Sequence, residues 1–325
     1  MFLSWLCKLN KKMKLCLIQW VLTMLKFFFE ICCICKKKIS CLTQNTEEFQ
    51  TQLHLFVQFT QPTMESRQFD ILRHLPCGSA NEVMIARING MDEDQIVVIK
   101  MPRTRIGRRH LKQEITVLTA LADIRGILPF LDSWKSDGIR CVSFEFYKNG
   151  DVLDHIANGK APLDIRAIAR IILTTISVIH AAGFAHLDIK PENILLDESF
   201  QPILTDFGFA TSDVVSIIRA GTSPYFAPEI VSGRQYLTKL ADIYSIGMTV
   251  FVMGCLFVPR HEEDPALMDA FRVRDFEYIW HRTEMISGRY MSNEFKSFIS
   301  AALQPEDSRP DAEMLLLHPW LNIIN

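Results

Sequence analysis

The chain has almost no net charge to offer a partner: 35 lysines and arginines stand against 37 aspartates and glutamates, leaving −2 at pH 7. So even a balance creates no global field, and no nucleic acid is expected as a partner. Beyond residue 41, cysteine is limited to Cys77, Cys141 and Cys255. Such scattered thiols build no disulfide framework, so the chain fits a reducing compartment and a cytoplasmic location is expected. Zinc-site spacing is missing too. Cys32-Cys33-Ile34-Cys35 supplies at most half a site, and no second CxxC or HxxxH lies nearby to complete four ligands. Free thiols in an apolar segment, open to palmitoylation, are the better reading. Internal repeats and low-complexity linkers are absent as well.

What is present divides the chain in two. Residues 1–63 are rich in lysine and cysteine, with Lys8, Lys11, Lys12 and Lys14 before an apolar run at residues 15–35 and Lys36-Lys37-Lys38 after it. The run is about long enough to span a bilayer, but Lys26 and Glu30 interrupt it. Each aliphatic or Phe residue gains about 0.3–0.6 kcal/mol and each central charge costs about 2.5–3.5, so the balance is near zero. Three readings stay open: a spanning anchor, a helix lying in the membrane interface, or an extension that the working protein lacks, Met64 standing just before the domain. No small-x-small cleavage site follows the run, which argues against a signal peptide.

From residue 68 onward the pattern is that of a globular protein. β-branched runs come first, at residues 82–88, 95–101 and 140–146; helical periodicity follows, as at 165–182 and 242–252. This order predicts an α+β architecture with a small β-rich lobe before a larger helical one.

The chemistry concentrates in His186-Leu187-Asp188-Ile189-Lys190-Pro191-Glu192-Asn193, followed by Asp206-Phe207-Gly208 and Ala227-Pro228-Glu229. Any one of these motifs alone is weak. In this order and at this spacing, they resemble the signature set of the protein kinase superfamily. The resemblance covers residues 69–321 and implies the two-lobed kinase fold, with an N-lobe at 69–144, a hinge at 145–150 and a C-lobe at 151–321. It implies ATP and Mg2+ as cofactors and proteins bearing Ser or Thr as substrates. Phosphoryl transfer needs metal ions, a positioned hydroxyl and donors facing the phosphates. Asp188 matches the catalytic base, Asn193 and Asp206 the oxygen ligands for magnesium, and Lys190 the lysine typical of serine/threonine kinases. Val97-Val98-Ile99-Lys100 resembles the strand whose lysine holds the α- and β-phosphates, and Glu114 is its expected partner on the next helix.

The nucleotide roof departs from the family pattern. Where three glycines are usual, Pro76-Cys77-Gly78-Ser79-Ala80-Asn81-Glu82-Val83 keeps only Gly78. Glycine takes positive φ freely, and Asn81 tolerates it better than most residues. Val83, Val98 and Leu195 are expected around the adenine, with backbone contacts at Glu145 and Tyr147 behind a Phe144 gatekeeper. Asp151 matches a ribose-binding acid or, alternatively, a helix N-cap. Asp242 and Arg309 resemble the residues that hold the catalytic-loop backbone and Glu229.

Leu187 replaces an arginine that in many kinases answers a loop phosphate, and the usual phosphosite falls near Ile218, which has no hydroxyl. Activity without loop phosphorylation is therefore expected, with Val214, Val215, Ile217 and Ile218 packing the loop down. Thr222 is expected to bond Asp188 and Lys190. Glu192 and Asp151 are placed to attract a basic residue on the substrate. The motifs look most like the calcium/calmodulin-dependent and related kinase group, although no calmodulin-target helix follows Trp320. Three functions compete: an active serine/threonine kinase, a kinase-fold scaffold without activity, and a membrane-anchored adaptor. Lys100, Glu114, Asp188, Asn193 and Asp206 together favour the first; the glycine-poor roof favours the second.

Overall fold

The computed structural model describes residues 69–76, 78–88, 96–160 and 162–322. The apolar run at 15–35 and the rest of the segment 1–63 lie outside the described residues, as does Cys77. Among the described residues no helix is long and apolar enough to cross a membrane.

The first part is an antiparallel sheet built from β1 (Phe69–Leu75), β2 (Asn81–Ile88), β3 (Ile96–Pro102), β4 (Phe130–Ser136) and β5 (Ile139–Glu145), in the order β1-β2-β3-β5-β4. Met84, Ala86 and Ile88 on β2 and Val97 and Ile99 on β3 bury one face with Trp134 and Cys141. The period-two spacing within each strand puts these side chains on the same side of the sheet. Helix α1 (Arg105–Ala120) covers the other face; Leu111, Val117 and Leu118 join Val142 and Phe144 in the larger core. Gly107 lets α1 approach the turn before β2, because a Cβ there would run into the Ala80 carbonyl.

The second part is helical: α2 (Val152–Ala157), α3 (Ile165–Ala181), α4 (Thr238–Cys255), α5 (Pro265–Val273), α6 (Phe276–Ser287), α7 (Asn293–Ala302) and α8 (Ala312–Leu316). Two small two-stranded sheets lie among them, β6 (Ile194–Leu196) with β7 (Pro202–Leu204), and β8 (Val215–Ser216) with β9 (Tyr236–Leu237). Helix α4 is apolar almost all round and buried from Ala241 through Met253, as expected of a helix running through the middle of a core. Gly247 permits close approach of α7: an added Cβ would stand 2.7 Å from the Ala302 side chain. The predicted α+β order of a strand-rich part and a larger helical part is the one observed.

Candidate active site

The register of the sheet assembles one wall of the cleft. Val83 lies opposite Lys100 across β2 and β3, and Val98 lies opposite Phe144 across β3 and β5. Lys100 and Val98 are two residues apart, so both side chains leave the same face. Lys100 Nζ donates to Glu114 Oε2 at 2.8 Å and to Asp206 Oδ1 at 2.8 Å, with its side chain 10% exposed. Burial would lower the Lys100 pKa, but Asp206 and Glu114 overrule it and raise it. Burial pushes the Glu114 carboxyl up while Lys100 pulls it back. For Asp206, burial also acts upward, but the charge and hydrogen bond of Lys100 win and hold it at about 2.

The opposite wall is the loop at residues 186–193, held by helix α4. Asp242 is fully buried; its Oδ2 accepts the His186 N–H at 2.8 Å and its Oδ1 accepts the Leu187 N–H at 2.7 Å. This clamp holds Leu187 at φ 64, a left-handed conformation that leucine rarely adopts. Sequence reasoning missed two supports here. His180, on α3, also reaches Asp242 Oδ2 at 2.8 Å. His186 accepts from the Asp188 N–H through Nδ1, which leaves Nε2 to donate to the Thr205 carbonyl, and burial keeps its pKa low. Phe207 is fully buried against the His186 ring, which leaves Asp206 turned to the cleft beside Lys100.

Around Asp188 the polar groups form one closed set. Thr222 donates to Asp188 Oδ1 at 2.7 Å, Lys190 donates to Asp188 Oδ2 at 2.8 Å, and Lys190 also donates to the Thr222 hydroxyl at 2.7 Å. Asn193 spends both amide hydrogens on Asp188, one on the carbonyl and one on Oδ2. A carboxylate has about four lone-pair sites, so one site on Oδ1 stays available for a further hydroxyl. The Asn193 amide oxygen takes no part in these bonds.

These donors fit a magnesium ion. With Asp206 ionised and the Asn193 oxygen not engaged, the site offers hard oxygen ligands, and magnesium takes few from protein and the rest from phosphate and water. Among the described residues no group of three or more His, Cys, Asp or Glu gathers, so nothing resembles a softer, all-protein metal cage.

A scan of family models matches the chain to the protein kinase domain over residues 69–321. The chain belongs to the protein kinase family. It is 30% identical over 227 residues to the human testis-specific serine/threonine-protein kinase 3, covering 66% of this chain and 80% of that one. It is also 30% identical over 254 residues to the CBL-interacting protein kinase 26 of Oryza sativa subsp. japonica, covering 74% and 49%. The mouse phosphorylase b kinase gamma catalytic chain, liver/testis isoform, is 27% identical over 262 residues, covering 70% and 60%. This kinase is a serine/threonine protein kinase of the calcium/calmodulin-dependent and related group. Its fold is the two-lobed kinase fold, and the family uses ATP with a divalent cation, generally magnesium.

Other expected positions sit less simply. Asp151 caps α2, its Oδ1 accepting from the Asp154 N–H at 2.8 Å, so the N-cap reading holds. Its residue also bridges to Leu195 on β6. Tyr147 donates to the Glu145 carboxylate at 3.1 Å, outside the backbone edge that would face adenine. In the roof of this kinase neither Gly78 nor Asn81 has positive φ: Asn81 opens β2, and a Cβ on Gly78 would meet nothing within 4 Å. The Ala80 carbonyl accepts from Arg103 and Thr104, which ties the roof to the start of α1.

One expectation is overturned. Val214, Val215, Ile217 and Ile218 do not pack inward; they are 66%, 42%, 68% and 58% exposed. Backbone pairing, rather than apolar burial, holds this segment. Val215 and Ser216 pair with β9, Tyr236 donates to the Ile218 carbonyl at 2.7 Å, and Gln113 on α1 donates to the Ala210 carbonyl at 2.9 Å.

Proposed function

We propose that this kinase is catalytically active, with Asp188 as base, Lys100 and Lys190 on the phosphates, and Asn193 and Asp206 as magnesium ligands. The observation that carries this is the joined set Lys100–Glu114–Asp206 and Thr222–Lys190–Asp188–Asn193, every contact at 3.0 Å or less. Bound there, magnesium would neutralise charge on the phosphates of ATP. The residues do the rest by position. A substrate hydroxyl would donate to the remaining site on Asp188 Oδ1 and pass its proton there as its oxygen bonds to the γ-phosphorus and the bond to ADP breaks. Lys190, between Asp188 and the transferring group, would stabilise negative charge. Thr222 would hold Asp188 and Lys190 in register. Val83, Val98 and Leu195 would sandwich the adenine, with Gly78 above the phosphates and backbone contacts at Glu145 and Tyr147. Asp151 would meet the ribose only through the oxygen that does not cap α2. The roof with one glycine favours the second reading, an inactive scaffold; the complete set of charged residues weighs against it.

The substrate would carry a basic residue near its acceptor. Glu192 Oε2 is buried with no hydrogen-bond partner, and burial pushes its carboxyl up. A buried carboxylate oxygen without a partner is costly, and an incoming guanidinium or ammonium would give it one. Loop phosphorylation is not required in this reading, because Leu187 offers no charge to a phosphate. A cytoplasmic setting is consistent with the free buried thiols of Cys141 and Cys255, and the apolar run at residues 15–35 is the segment through which a membrane would be met.

Radiolabelled ATP with a basic protein substrate, using wild type, phosphatase-treated wild type and Asp188→Asn, tests this. The expected result is incorporation by the first two at similar rates and none by the third. No incorporation by wild type would establish the scaffold. A tenfold loss on phosphatase treatment, about 1.4 kcal/mol in the barrier, would show control by a loop phosphate.

A further inference from the structure

Helix α1 opens with cations where a helix is stabilised by anions. Arg105, Arg108, Arg109 and Lys112 recur at i, i+3, i+4 and i+7, all are exposed, and the first turn holds no acid. At 3.6 residues per turn they form one narrow ridge roughly 10 Å long. It lies opposite the buried face of Gly107, Leu111, Glu114 and Leu118. None of the four side chains enters an ion pair or hydrogen bond among the described residues. The acid on the facing strand, Glu82, is already taken by Arg103 at 3.2 Å and His74 at 3.0 Å. Like charges three and four residues apart repel, and cations at a helix N-terminus oppose its dipole. The ridge therefore weakens the helix that carries it, and folding alone gives no reason for it.

We propose that the ridge docks an acidic, Asp/Glu-rich segment of a partner protein, laid along the exposed side of α1. Nucleic acid fits less well, because no Phe, Tyr or Trp is interleaved with these cations to stack on bases. A membrane surface fits less well too. Ile106, 63% exposed, is the single apolar side chain beside the ridge, and no apolar row underlies the charges. Glu114 sits on the same helix, 2.8 Å from Lys100. A segment that neutralises the ridge would thus steady the helix that holds the phosphate-facing lysine.

The test is fluorescence anisotropy of a labelled Glu/Asp peptide with the full chain, at low and physiological salt. Wild type should bind, more weakly at higher salt. The combined variant Arg105→Gln, Arg108→Gln, Arg109→Gln, Lys112→Gln should bind at least about tenfold more weakly, while lysine at the three arginine positions should retain binding. Basal kinase rate should not fall in either variant, since all four side chains are exposed on α1 and removing their charge relieves repulsion on the helix. Amides of α1 should exchange more slowly with peptide present in wild type and in the lysine variant, and not in the glutamine variant. No binding by wild type, or equal binding by the glutamine variant, would overturn the proposal. So would tighter binding of an oligonucleotide or of phosphatidylserine vesicles at equal charge concentration.

Discussion

Removing one hydroxyl, that of Thr222, should slow phosphoryl transfer without unfolding the kinase. In the structure this hydroxyl donates to Asp188 Oδ1 and accepts from Lys190 Nζ, both at 2.7 Å and both with a charged partner. Hydrogen bonds to charged groups contribute about 1.5–3 kcal/mol net. Thr222→Ala removes two, yet Asp188 keeps Lys190 and Asn193, so its carboxylate loosens rather than loses its place. If half of the combined energy acts on the transition state, the barrier rises by about 1.5–3 kcal/mol and kcat falls by roughly 10- to 150-fold. The assay is initial rate at saturating ATP and substrate, with thermal unfolding measured in parallel. Thr222→Ser keeps the hydroxyl and should recover most of the rate. A folded Thr222→Ala enzyme with kcat within threefold of wild type would refute the reasoning.

Two further outcomes are expected. Asp206→Asn should abolish measurable transfer while leaving the far-UV spectrum unchanged. Because Lys100 holds the Asp206 pKa near 2, its stabilising charge is fully present above the ordinary carboxylate range and is lost only as pH falls through about 2. A kinase rate that declines between pH 7 and 5 should therefore report another group, and a wild-type Asp206 carboxyl titrating near 4 by NMR would contradict the ion pair. Arg309 bonds Glu229 at 2.6 and 3.3 Å, with its side chain fully buried and stacked 5.1 Å over Tyr244. Arg309→Met should cost about 3–5 kcal/mol, or roughly 6–20 °C in Tm for a domain of this size. A drop under 2 °C by calorimetry would show that the pair is dispensable.

Much of the site was legible because its residues cluster in sequence. The segment from His186 to Asn193 contains the proposed base, its lysine and one proposed metal ligand, and Asp206 follows after a single hairpin. The fold was legible where side chains alternate against one core, as in β2 and β3, and where a short run is buried on both faces, as in β5. Strands β1 and β4 escaped notice for a physical reason. Ile71 and Leu72 of β1 are 48% and 47% exposed, so that edge strand has no buried period for its sequence to reveal. In β4, Asp132, Ser133 and Lys135 interrupt the apolar pattern, and the pairing shifts register between Phe130 and Asp132. The loop packing was misjudged because an apolar run says nothing about the backbone partners that compete with burial. Tyr236 and Gln113 supply those partners from distant positions, which a single sequence does not connect.

The strained backbone shows where this kinase stores its order. Leu187 and Asp206, at φ 64 and 61, stand on the two loops proposed to hold the substrate and the phosphates. Such conformations cost on the order of 1–3 kcal/mol each and persist only where surroundings over-determine them. For Leu187 the surroundings are Asp242, rooted in the buried helix α4, and a side chain that is itself 4% exposed. For Asp206 they are Lys100 on one side and the buried Phe207 on the other. Each anchor belongs to the core, so the geometry of Asp188 and Asp206 is sustained by packing already complete in the unmodified chain. A phosphate on the segment from Thr211 to Ile218 would find no charged partner at Leu187, and Asp188 already bonds Lys190, Asn193 and Thr222. It would fall instead on a surface strand held by backbone bonds. This is the physical ground on which the proposed independence from loop phosphorylation rests, and it ties the regulatory reading to helix α4 rather than to the loop itself.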